Sequence, residues 1–260
     1  MNTVIVPLDF SDTSLNAAEY AAQLLNGHEN INMILYHAYS QDWESDPSEE
    51  KLKEIKAGFD KKYTLNISTS AEKDDFIHGF EKLIRHKRAD MVIMGNTGHS
   101  RLAQVFMGSN ALKVSETKAC PILIVPANSQ FQEIKNVMLA SDFKNARTTT
   151  PSGPIKNFLH TIKANLNIVN VNSEHYVALT EEFAKEKDDL QIMFAEFNPE
   201  FYFVRLYDVN DALNQFTTDK NIDLIITIQR QHSLLYRRFR SSHIKNLKNN
   251  SSVPVLIVHE

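Results

Sequence analysis

The chain has 260 residues, enough for one large or two ordinary domains, and its 42% hydrophobic and 23% charged residues are a globular balance. A formal net charge of −4 excludes a general attraction to nucleic acid or to anionic membranes. Cys120 is the only cysteine, which excludes an intrachain disulfide and a thiolate metal cluster. No apolar run approaches the roughly 20 residues that a membrane-spanning helix needs. Met1-Asn2-Thr3 leads directly into Val4-Ile5-Val6 without a basic or long apolar leader, so a reducing cytoplasm is the expected location.

In chain order, strands are expected at residues 3–9, 31–38, 62–68, 90–95 and 121–126. Between the first two, Leu15, Ala18, Ala22 and Leu25 recur at spacings of three and four, with Ser11 or Asp12 as N-cap and Gly27 just past the end. A helix over 73–88 follows the third strand, with Phe76, Phe80 and Leu83 on one side. Continuous apolar runs such as Ile122 to Val125 indicate strands covered on both faces, hence a parallel sheet flanked by helices.

The remainder of the chain repeats this plan at a constant offset of 133 residues. Val4 to Phe10 aligns with Val137 to Phe143, Asp90-Met91-Val92-Ile93 with Asp223-Leu224-Ile225-Ile226, and Pro121 to Val125 with Pro254 to Val258. His99-Ser100 falls on His232-Ser233. The polar stretch Pro126 to Gln130 marks the boundary, giving domains over 1–128 and 133–260. The expected architecture is α/β: two tandem, doubly wound, Rossmann-like domains, each a five-stranded parallel sheet.

Of seven glycines, three lie close together as Gly95-Asn-Thr-Gly98, nine residues, then Gly108-Ser109-Asn110. Gly95 ends a predicted strand and Gly108-Ser109 opens a predicted helix running to about Thr117. A polyphosphate suits such a place. Ligands of open α/β sheets bind beyond the carboxyl ends of the strands, and a helix N-terminus offers free N–H groups with partial positive charge. Glycines remove the Cβ atoms that would hold phosphates away, and Ser109 adds a hydroxyl. Turn glycines without a ligand are the competing reading.

The spacing Gly-x2-Gly-x9-Gly-Ser, with Asp9 ending the first strand, Asp9 to Ser14 as opening and Cys120 to Val125 as last strand, resembles the ATP-binding branch of the universal stress protein family. The resemblance spans the first copy and, more weakly, the second. It implies a fold like that of the adenine nucleotide alpha hydrolases, and ATP as ligand, with Mg2+ as its usual companion. It also implies a site built from Pro7, Asp9, Ala38, Met94, Gly95, Gly98, Gly108, Ser109 and Asn110. In the family the glycines and serine hold phosphates and ribose, the aspartate lies by the nucleoside, and the residue after the second strand's histidine supports adenine. That residue is Ala38 here, smaller than the valine often found. The family further implies pairing of the two copies through Ile122 to Val125 and Val255 to Val258, and leaves a homodimer open. On the residues alone, Asp9 has a second reading as a cap for the following helix. His99 and Arg101 lie inside the nine-residue loop, as phosphate contacts or as solvated loop residues.

In the second copy Gly95 becomes Ile228, Gly98 becomes Gln231 and Gly108 becomes Ser241, while Ser109 is kept as Ser242 and Asp9 as Asp142. Side chains now fill the phosphate space, so no ATP is expected there. Residues 230–248 carry Arg230, Arg237, Arg238, Arg240, Lys245 and Lys248 and no acid, a solvated basic face or a replacement anion site. Phe194, Phe197, Phe201, Tyr202 and Phe203 are expected mostly in the core, with an apolar ligand cavity as the alternative.

No lysine follows the last glycine in the Walker manner and no base for water is evident, so a regulatory ATP-binding module without catalytic or metal-ligating residues is expected, at most a slow hydrolase. A nucleotide-free interaction scaffold and an ATP-using ligase are the competitors. The ligase lacks Ser-Gly-Gly-x-Asp-Ser-like or His-x-Gly-His-like motifs.

Overall fold

The computed structural model describes residues 1–96, 109–171, 180–204, 209–230, 245–246 and 251–260. They fall into two compact units that meet in sequence between Phe131 and Gln132.

The first unit runs β1 (Thr3–Pro7), α1 (Asp12–Leu24), β2 (Asn32–Tyr39), α2 (Ser45–Asp60), β3 (Asn66–Lys73), α3 (Phe76–Lys87), β4 (Met91–Asn96), α4 (Ser109–Glu116) and β5 (Ile122–Pro126). Its strands lie in the order β3-β2-β1-β4-β5, all parallel. β-branched and aliphatic side chains fill both faces of the inner strands, and Val4, Ile5, Val6, Val92 and Ile93 have no exposed surface. α1 starts at Ser11, whose hydroxyl accepts from Ser14 N at 3.3 Å. Its Ala17, Ala18, Ala21 and Ala22 are fully buried, small enough for the helix to lie close on the sheet. Gly27, at φ +84, lets the chain turn away, and its N–H donates to Thr64 O at 2.8 Å.

The second unit runs β6 (Asn136–Ser141), α5 (Ala146–Thr149), α6 (Ser152–Ile162), β7 (Asn165–Val171), α7 (Glu181–Met193), β8 (Glu200–Val204), α8 (Val209–Asp219), β9 (Leu224–Gln229), a short antiparallel pair β10 (Lys245–Asn246) and β11 (Ser251–Ser252), and β12 (Val255–His259). Its main strands are ordered β12-β9-β6-β7-β8, again parallel. No helix among the described residues is long and apolar enough to cross a membrane.

The 133-residue offset recurs in strand register. Val4↔Met91 and Ile5↔Val92 become Val137↔Leu224 and Met138↔Ile225, and Thr3↔Asn32 becomes Asn136↔Asn165. It recurs in side-chain detail too. Asp90 Oδ2 accepts from Asn2 N and Thr3 N at 2.6 and 3.0 Å, and Asp223 Oδ2 accepts from Lys135 N and Asn136 N, both at 2.9 Å. Phe10 and Phe143 share a left-handed backbone, as do Arg88 and Asn221. The outer strand slips once: Ile34 pairs Ser68, but Asn167 pairs Glu200, one residue early.

Three local expectations are corrected. The third strand starts at Asn66, not 62, because α2 extends to Asp60 and its exit turn takes Lys62 N and Tyr63 N onto Phe59 O. α2 was not expected at all: it buries only Ser48, Leu52 and Phe59, and surface ion pairs such as Lys53–Glu49 occupy its other faces. The helix expected from 73 begins at Phe76, since the Asp75 carboxylate accepts from Ile77 N and His78 N as N-cap.

Cys120 is buried, and burial pushes its thiol up to about 12, with Asp90 adding to the effect. At pH 8 the native thiol should react with a disulfide reagent on the order of 10³-fold more slowly than in denaturant. Equal rates would show that the thiol is accessible.

Candidate functional site

In the first unit β1 and β4 are neighbours, yet the chain leaves them toward opposite edges of the sheet. Such a switch point opens a crevice beyond the strand ends. A cavity of about 160 Å³ lies there, lined by Pro7, Leu8, Asp9, Ser14, His37, Ala38, Phe76, Met94, Gly95 and Asn110. Of the nine predicted residues, Pro7, Asp9, Ala38, Met94, Gly95 and Asn110 are thus brought together. Ser109 is the first residue of α4. Gly98 and Gly108 lie outside the described residues, as do His99 and Arg101.

Four lining residues were not anticipated. Leu8 lies between the predicted Pro7 and Asp9, and Ser14 closes the opening stretch Asp9 to Ser14, of which only Asp9 is a predicted site residue. His37 shares the crevice with Ala38, and its Nδ1 donates to Leu8 O at 2.7 Å, tying the end of β2 to that of β1. Phe76 reads in sequence as a core residue of the helix it begins.

Asp9 is an exposed carboxylate whose Oδ1 accepts from Ser11 N at 3.0 Å and Ser11 Oγ at 2.6 Å. Both readings of Asp9 therefore coexist in one geometry: it braces the N-cap of α1 and lines the cavity. Partial burial raises its pKa, but the Ser11 hydroxyl and amide together with Ser14 outweigh this and hold it below the ordinary value. No cation pairs with it among the described residues. Beside it Phe10 takes φ +62, stacks on His37 with ring centroids 4.4 Å apart, and lies under the Lys51 ammonium at 5.0 Å.

Gly95 has a reason that sequence reasoning missed. A Cβ there would stand 2.6 Å from Thr13 O and 2.8 Å from Thr13 Cγ2. The bare backbone lets the first turn of α1 settle on β4, besides exposing Gly95 to the cavity. In the second unit the position is Ile228, and the helix above is broken into α5 and α6 at Thr150-Pro151. There Arg230 Nη1 donates to Asp142 Oδ1 at 2.8 Å. Arg230 is only 10% exposed, so for this residue the expected solvated basic face is corrected; Arg237, Arg238, Arg240 and Lys248 lie outside the described residues. Of the five aromatics expected mostly in the core only Phe194 is fully buried; Phe197, Phe201 and Tyr202 are half-buried and Phe203 is 39% exposed, which corrects that expectation.

A universal stress protein of Methanocaldococcus jannaschii is 26% identical over 140 residues, 47% of this chain and 80% of that protein. A universal stress protein structure from Archaeoglobus fulgidus matches 99% of this chain and 98% of its own at 16% identity and a TM-score of 0.68. A putative universal stress protein from Pseudomonas aeruginosa covers 100% of this chain and 93% of its own at 12% identity and a TM-score of 0.61. These two structures show the fold. The model of the universal stress protein family matches residues 1–126 and 164–259. The chain belongs to the universal stress protein family.

Proposed function

We propose that the first unit binds ATP and that the protein is a nucleotide-dependent regulatory module rather than a fast enzyme. The observation that carries this reading is the cavity at the β1/β4 switch point, which gathers six of the residues expected for ATP, the Asp9 carboxylate among them. Its lining suits an adenine nucleoside: apolar surface from Pro7, Leu8, Ala38, Phe76 and Met94 for the base, and Asp9 as acceptor for ribose hydroxyls. The phosphates would run toward Gly95 and the free N–H groups that begin α4 at Ser109. No group of three or more His, Cys, Asp or Glu among the described residues could hold a metal, so a Mg2+ would ride on the phosphates. Turnover is expected below about 1 s⁻¹, the low end for ordinary enzymes.

In equilibrium dialysis Asp9→Ala should weaken ATP about 10–100-fold, the worth of a hydrogen bond to a charged group. Unchanged affinity would remove Asp9 from the site.

A further inference from the structure

We infer that Arg230 is the residue that denies the second unit a nucleoside: the chain's own guanidinium takes the place at Asp142 that a ligand would take at Asp9. The inference rests on the ATP reading of the first unit and extends it to what selects against the same ligand in the second. Asp9 and Asp142 are 133 residues apart in units whose strands share register, so they occupy corresponding positions at corresponding switch points, β1/β4 and β6/β9. Both carboxylates brace the residue two positions on: Asp9 Oδ1 accepts from Ser11 N, and Asp142 Oδ1 from Lys144 N at 3.2 Å.

They differ in the remaining partner of that oxygen. Asp9 Oδ1 has the Ser11 hydroxyl, a neutral donor, and no cation pairs with the carboxylate among the described residues. The second unit has Lys144 where Ser11 stands, and the guanidinium of Arg230 arrives instead, at 2.8 Å. Arg230 also donates to Lys144 O at 3.3 Å, so one side chain from just past β9 spans to the loop after β6 at the switch point. Its burial fits a resident plug, not a surface cation. Among the described residues Nε of Arg230 has no hydrogen-bond partner, and the contacts of its guanidinium are those with Asp142 and Lys144.

The test exchanges second-unit residues for their first-unit counterparts in the full chain, Ile228→Gly (as Gly95) and Arg230→Thr (as Thr97), with AMP as probe. Stoichiometry should stay at the wild-type value in Ile228→Gly and rise by one AMP per chain in the double variant. A rise in Ile228→Gly alone, or none in a folded double variant, overturns the inference. If the wild type takes neither AMP nor ATP, the ATP reading of the first unit fails instead, and the increment between the two variants still reads Arg230. Carbodiimide–amine labelling needs no folded double variant. Asp142 should be labelled about tenfold more slowly than Asp9, as a charge-assisted hydrogen bond implies, and should lose that protection in Arg230→Gln. Equal labelling in the wild type overturns the inference.

Discussion

Asp142→Ala is expected to cost about 2 kcal/mol of stability, below the cost of breaking a fully buried ion pair because this pair is only partly buried. The substitution strands the Arg230 guanidinium, 10% exposed, without its carboxylate. Asp142 is itself 30% exposed, so water can partly hydrate it when the arginine is removed, and Arg230→Ala should cost less. The corresponding change in the first unit, Asp9→Ala, removes an exposed carboxylate that no cation offsets among the described residues, so its stability cost should stay within about 1 kcal/mol. Two aspartates in one repeat position are thus expected to separate cleanly, one needed for ligand and the other for folding. Urea unfolding of the three variants measures this, and equal costs at Asp9 and Asp142 would contradict the buried pair.

Gly95→Ala is expected to destabilise by about 1–3 kcal/mol, the usual cost of overpacking, and to weaken ATP with it. The new methyl would meet the backbone carbonyl of Thr13 at 2.6 Å, and backbone cannot swing aside as a side-chain tip can. α1 would have to lift from β4, moving Ser14 and the Ser11–Asp9 brace that it carries. Gly58→Ala is the control. It lies in α2 with nothing within 4 Å of its added Cβ, and should be neutral or stabilising by about 0.5–1 kcal/mol through helix propensity. A thermal shift no larger at Gly95 than at Gly58 would show that α1 does not rest on that strand.

The inner strands were legible because burial on both faces leaves a mark in composition, as in Ile122 to Val125, and the repeat doubled each signal. α2 was not legible. A helix that buries three residues on a charged background has too little apolar periodicity to stand out, and its exit turn absorbed the start of the next strand. At the site, Asp9, Gly95 and Ala38 could be read because they stand at or just past the ends of strands whose direction fixes where the crevice lies; β1 itself stops at Pro7, short of the expected residue 9. The Arg230–Asp142 contact could not, because it joins residues 88 apart through a side-chain choice that spacing does not encode. The glycine at 95 was found for an incomplete reason, since sequence shows that a Cβ is missing but not what it would have struck.

The most direct test is a calorimetric titration of ATP with Mg2+ into the intact chain, which reads affinity and stoichiometry together. One site per chain, weakened by Asp9→Ala, is the predicted result. No heat at millimolar ATP, or two equivalent sites per chain, would contradict it.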